Sequence, residues 1–142
     1  MEAKLQELKR RLLEVSDLNG AAALLNWDQT TYMPEGGAPA RGRQMALLSR
    51  LSHERFTDPE IGRLLDALEP YGASLPYDSD DAALIRITRR DYDRLVKVPT
   101  DFIAEISEHT AEVYQVWTHA RPANDFARVR PLLEKTLDYS RR

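Results

Sequence analysis

Apolar residues recur every three or four positions along most of this chain, and prolines and glycines separate the stretches. Residues three and four apart share one face of a helix. Leu5, Leu8, Leu12, Val15, Ala22 and Leu25 form one such stripe. They predict a first helix running to about Trp27 and finished by Tyr32–Met33–Pro34. Gly20 weakens that helix by about 1 kcal/mol relative to alanine. Glu35–Gly36–Gly37–Ala38–Pro39 reads as a turn. A second helix is expected from about Ala40 to Arg55, with Met45, Leu48, Leu51 and Ser52 inward. Thr57–Asp58–Pro59–Glu60 is a compact start signal. Thr57 or Asp58 can cap, proline suits the first turn, and Glu60 can complete a capping box with Thr57. The short helix that follows turns Ile61, Leu64, Leu65 and Leu68 inward and stops at Pro70, ahead of a loop from Tyr71 to Asp78.

Ser79–Asp80–Asp81 opens a fourth helix with two carboxylates at the positive end of its dipole. Its inward positions are Leu84, Ile85, Ile87 or Thr88, Tyr92, Leu95 and Val96, and it ends before Pro99. A fifth helix from about Asp101 to His119 carries Phe102, Ile103, Ile106, Val113, Tyr114 and Trp117. Asn124–Asp125–Phe126 reads as a cap followed by a core anchor. Pro131 then falls in the first turn of a last helix with Leu132, Leu133 and Leu137 inward. No stretch alternates with the two-residue period of a strand. The expected fold is all-α, with about six helices in antiparallel array.

Composition narrows the function classes. The 142 residues suit a single helical unit over 1–142. Lys plus Arg is 20 and Asp plus Glu is 23, a net charge of −3. That balance lacks the basic excess that phosphate binding needs, so no nucleic-acid partner is expected. The absence of cysteine excludes disulfides, thiolate metal sites and a cysteine nucleophile. No run approaches the eighteen apolar residues of a membrane span, and the charged N-terminus lacks the apolar centre of a signal peptide. No membrane partner is expected, and a cytoplasmic location is.

The search for chemistry is mostly negative. His53, His109 and His119 are the three histidines. His53–Glu54 begins like a zinc helix, but Thr57 stands where the second histidine is required. Glu-x-x-His pairs are absent as well, because Arg50, Ile106 and Val116 precede the three histidines by three. Glu105, Glu108, His109 and Glu112 lie within two turns. They read either as a weak metal or acid–base site or as a solvated helix face. No serine lies in a G-x-S-x-G turn, and the glycines lack phosphate-loop spacing. Arg86, Arg90 and Arg94 share a face beside Arg89, as an anion site or as a salt-bridged surface. Arg41, Arg43, Arg50 and Arg55 carry the same pair of readings.

Trp27–Asp28–Gln29–Thr30–Thr31–Tyr32–Met33–Pro34 is the most unusual segment. It reads as a packed helix end, with Trp27 and Tyr32 in the core and Asp28 or Thr30 bonding loop backbone. The alternative is a groove lining formed by Trp27, Asp28 and Tyr32.

The stretch Leu25–Ala38 resembles the N-terminal signature of the thermostable carboxypeptidase Taq family, H-E-x-x-H zinc enzymes that remove C-terminal residues from peptides. Arg41 to Leu48, Leu51 to Gly62, Arg90–Asp91–Tyr92, Val98–Pro99, Trp117 to Arg121 and Asn124 to Ala127 continue the resemblance in order. Members of that family are several times longer. The resemblance implies that their metal helix and substrate-carboxylate motifs lie downstream of the matched region, so it carries no catalytic or metal residue onto this chain. It implies zinc or another divalent metal, and a peptide substrate, for the intact enzyme. It also implies a scaffold or groove-wall role here, with the remainder of a carboxypeptidase chain as partner. The pattern places Tyr139–Ser140–Arg141–Arg142 in mid-helix, and the core is expected to be part of a larger one. The alternative is a stand-alone module that self-associates, as a dimer for example, through apolar helix faces. The first reading expects exposed apolar stripes, and the second expects them closed or buried in a symmetric pair.

Overall fold

The computed structural model describes residues 1–141. Its element order is α1 (Glu2–Thr31), a single 3-10 turn (Glu35–Gly37), α2 (Ala38–Phe56), α3 (Pro59–Ser74), α4 (Asp80–Leu95), α5 (Thr100–Ala120) and α6 (Phe126–Ser140). No strand occurs among the described residues, so the six-helix, all-α expectation holds.

The 30 residues of α1 make a rod about 45 Å long, and the other helices pack along it in two groups. At its N-terminal end, Leu5 and Leu8 join Ile61, Leu64, Leu65 and Leu68 of α3 and Ile85 of α4 in the main apolar core. Leu12, Tyr71, Leu84 and Tyr92 pack around that cluster. Farther along, α1 lies against α2, α2 against α5, and α5 against α6. This second group is built differently. On α2 and α5 its buried positions are small or polar: Ala38, Gly42, Ser52 and His53 on α2, His109 and Ala120 on α5. A Cβ at Gly42 would make ordinary contact with that of Ala111 at 3.9 Å, so the approach of α2 to α5 does not depend on the glycine.

Helix ends follow side-chain chemistry. Asp58 caps α3 by accepting from the Glu60 backbone N–H at 2.8 Å. Thr57 does not share in that cap, because its hydroxyl donates to the His53 carbonyl at the end of α2. The expected Thr57–Glu60 capping box is therefore not formed, and Glu60 pairs with Arg63 instead. Ser79 caps α4 as expected, accepting from Ala82 at 3.4 Å.

Pro70 does not stop α3, which continues to Ser74. A proline removes one helical hydrogen bond. Packing outweighs that loss here, because Tyr71 lies on the main core and Gly72 meets Ile85. The loop is correspondingly shorter than Tyr71–Asp78. Pro131 likewise lies inside α6, which begins at Phe126. On α4 the open choice between Ile87 and Thr88 resolves to Thr88, which is buried while Ile87 is exposed. On α6 the expected inward face is rotated: Val129 and Tyr139 are buried, and Leu133 and Leu137 are exposed. The helix ends at Ser140, and Arg142, in the expected mid-helix ending, lies outside the described residues.

Candidate functional site

The Trp27–Pro34 segment is the C-terminal turn of α1, and one arginine of the next helix fastens it. The Arg41 side chain is only 11% exposed. It forms an ion pair with Asp28 at 2.6 Å and donates to the Leu25 carbonyl. A guanidinium can span two acceptors in this way because its donors form a fixed fork. The Thr30 and Thr31 hydroxyls both donate to the Trp27 carbonyl, and the Tyr32 and Met33 N–H groups to that of Asp28. Asp28 therefore holds a neighbouring helix rather than loop backbone, and Thr30 bonds within its own helix.

The expectation that Trp27 and Tyr32 enter the core is corrected. Trp27 is 53% exposed and Tyr32 76% exposed. The threonines and Arg41 fix the backbone so that both rings project outward, edge to face with centroids 5.5 Å apart. The adjacent groove is lined on the α1 side by other residues. A cavity of about 370 Å3 takes Asn26 and Gln29 from α1, Met45 and Ser49 from α2, and Ile103, Ser107 and Tyr114 among its α5 lining. It shares Ser49 and Ile103 with a larger one of about 570 Å3 that runs on past Asn19, Ser52, His53, Asp91 and Arg94. Together they form a largely apolar trough, with polar side chains set into it, along α1, α2 and α5. The Asn26 and Gln29 amides line it because, three residues apart, they share a face of α1 that does not include Trp27. Their three-residue spacing was the only sequence signal for this.

Each histidine has a structural position. His53 Nε2 donates to the Leu95 carbonyl at 3.1 Å, which leaves Nδ1 to accept from the Thr100 hydroxyl at 3.0 Å. His53 thus ties α2 to the end of α4 and the start of α5. His109 is only 4% exposed, not part of a solvated face. The Thr136 hydroxyl donates to the Leu132 carbonyl, so its oxygen accepts from His109 Nε2 at 3.0 Å. Nδ1 is left as a buried lone pair without a hydrogen-bond partner among the described residues. His119 Nδ1 donates to the Gln115 carbonyl at 2.8 Å. Glu105 accepts from the Tyr139 hydroxyl at 2.7 Å.

These donors do not fit a metal ion. Both His53 nitrogens are engaged, and no group of three or more His, Asp or Glu among the described residues is arranged to hold one. Several of the arginines are salt-bridged: Arg89 with Asp66 and Asp93, Arg90 with Asp91, and Arg50 with Glu54, whereas Arg43, Arg55, Arg86 and Arg94 form no ion pair among the described residues. Asn124 adopts the left-handed conformation, φ 54°, that asparagine tolerates. The Asp125 side chain makes no capping bond, and Phe126 is 64% exposed, so the expected core anchor is corrected. Among the described residues no helix is long and apolar enough to cross a membrane.

Comparison with known proteins agrees with this arrangement. The chain is 38% identical over 136 residues to thermostable carboxypeptidase 1 of Thermus thermophilus, covering 94% of this chain and 26% of that protein. It is 43% identical to the M32 carboxypeptidase of Deinococcus radiodurans R1, whose crystal structure superposes with a TM-score of 0.67 over 97% of this chain and 27% of the other. The crystal structure of BsuCP shares the fold with a TM-score of 0.90 over 96% of this chain and 27% of the other, at 23% identity. The chain thus spans about a quarter of the length of these relatives. The profile of the carboxypeptidase Taq (M32) metallopeptidases matches residues 7–142, and the chain belongs to that family.

Proposed function

We propose that these residues form the N-terminal helical portion of a cytoplasmic zinc metallocarboxypeptidase that removes C-terminal residues from peptides. In this reading the segment is scaffold and groove wall. The metal, which would activate a water for attack on the last peptide bond, is held by residues outside it. The trough along α1, α2 and α5 is the wall, and Trp27, Asp28 and Tyr32 lie outside its lining, at the C-terminal end of α1.

The observation that carries the reading is the unfinished packing of the second helix group. On α6, Phe126, Leu133 and Leu137 lie seven and four positions apart and are exposed, Leu137 by 55%. Trp117 on α5 adds to the same end of the molecule: with Phe126 and Leu133 it lines one cavity of about 350 Å3. A closed monomer rarely leaves such a row uncovered. The remainder of a carboxypeptidase chain is the partner whose length and family fit it. A second copy of this chain, in a dimer without enzyme activity, is the competing occupant.

Complementation tests the proposal. The 142-residue chain alone, with zinc supplied, should release no C-terminal residue from peptides. Mixed with the part of the Deinococcus radiodurans relative that lies beyond the matched quarter, it should restore release that a chelator abolishes. That relative's own N-terminal quarter serves as the positive control. Chelator-sensitive activity from this chain alone would overturn the assignment of the metal site elsewhere. Failure to complement where the control succeeds, together with a stable dimer in sedimentation, would favour the module.

A further inference from the structure

The hairpin of α3 and α4 contains a further cavity, away from the trough, of about 350 Å3. Two glycines bring the helices close. Tyr92 lies over Gly62, and the Ile85 side chain comes within 3.3 Å of where a Cβ of Gly72 would stand. Beyond Gly72 the helices are joined by residues 75–79, and the space left there is floored by Leu65, Leu75 and Ile85. Its volume is at the small end of ligand sites, suited to a metabolite rather than a peptide.

The charges at its edge are only partly neutralised. Arg89, which also borders it, is neutralised by Asp66 and Asp93. Arg86 has no carboxylate within 4 Å among the described residues. Its guanidinium carbon lies over the Tyr77 ring, 4.0 Å from the centroid, and Nη1 donates to the Tyr77 carbonyl at 3.3 Å. A guanidinium has five donors, so a cation–π contact and one hydrogen bond leave donors available for a planar carboxylate. Glu69 borders the same cavity and forms no ion pair among the described residues. One cation and one anion therefore face a common apolar floor without neutralising each other.

We infer that this cavity binds a free apolar α-amino acid. The carboxylate pairs with Arg86, the ammonium with Glu69, and the aliphatic side chain lies on Leu65, Leu75 and Ile85. Each part of the ligand is needed. A plain carboxylate faces Glu69, a plain amine faces Arg86, and glycine leaves the floor wet. Binding goes beyond the peptidase reading and does not rest on it, although such amino acids are what a carboxypeptidase releases.

The test is an NMR titration of the 142-residue chain with L-leucine, N-acetyl-leucine, leucinamide and glycine. Leucine should give saturable amide shifts confined to α3, α4 and residues 75–79. The other three should bind at least about ten-fold more weakly. Arg86→Met and Glu69→Gln, both at exposed positions, should each weaken leucine by about ten-fold and leave the α2 and α5 resonances in place. Absence of a saturable shift with leucine up to about 20 mM would overturn the site. So would equal binding of all four ligands, undiminished binding by both variants, or N-acetyl-leucine binding as tightly as leucine, which would make it a simple carboxylate site. None of these failures touches the complementation result.

Discussion

Replacing Gly20 and Gly62 with alanine should move stability in opposite directions, although both glycines lie inside helices. An alanine in a helix interior is favoured over glycine by about 1 kcal/mol. At Gly20 nothing stands within 4 Å of the added Cβ. Gly20→Ala should therefore stabilise by roughly that amount, a rise in Tm of about 3 °C for a chain of this size. At Gly62 the added Cβ would lie 2.7 Å from Tyr92 Oη, 3.0 Å from Cζ and 3.1 Å from Cε1. Tyr92 cannot simply swing away, because it packs on the main core and against Phe56 with ring centroids 6.4 Å apart. Overpacking of this kind costs about 1–3 kcal/mol. Gly62→Ala should therefore be neutral to about 2 kcal/mol less stable once the helix gain is subtracted. Thermal and urea unfolding followed by far-ultraviolet circular dichroism measures both variants. Tyr92→Phe in the Gly62→Ala background should recover part of the loss, since it removes the nearest atom and leaves the next two. Equal stabilisation by the two alanines would refute the close approach of α3 and α4 described above.

Three further outcomes follow from the same structure. Arg41→Met should cost about 1–2 kcal/mol, the range for charge-assisted bonds whose carboxylate partner is partly exposed; Arg41→Lys should not restore the loss, because an ammonium lacks the planar fork that reaches both Asp28 and the Leu25 carbonyl, and Trp27 fluorescence reports the local change. Hydrogen bonds from Arg10 and Arg11 hold the Glu7 carboxyl down at about 2, from 4.5. A depressed carboxyl stabilises above its unfolded pKa and loses that contribution as pH falls through the folded one. Glu7→Gln should therefore be less stable than the parent at pH 7, with the difference shrinking as pH falls below 4.5 and vanishing only below about 2, in the same unfolding assay. Phe126→Ser and Leu137→Ser should shift stability by no more than about 0.5 kcal/mol while reducing binding of an apolar dye; a large loss of stability would show that α6 buries that face after all.

The sequence by itself determined the number and type of the helices and most of their boundaries. Those features are local: a three- and four-residue apolar period, and caps at Asp58 and Ser79. The core of α1, α3 and α4 was legible for the same reason, since its leucines and isoleucines have no alternative use. The resemblance of Leu25–Ala38 to a peptidase family was also a property of the sequence alone.

Tertiary structure decided the rest. Pro70 marks a helix end only if nothing beyond it packs, and Tyr71 and Gly72 do pack. Trp27 and Tyr32 look like core residues by composition, yet Arg41, thirteen positions beyond Asp28 along the chain, turns that end of α1 so that both rings face out. Asn26 and Gln29 line the trough because α2 and α5 pass on their side of α1. Arg86 and Glu69 border one cavity from two helices that pack closely at Gly62 and Gly72. Local periodicity specifies which residues share a face of one helix. Only packing specifies which faces meet, and that is where charges are neutralised, left unpaired or turned toward a ligand.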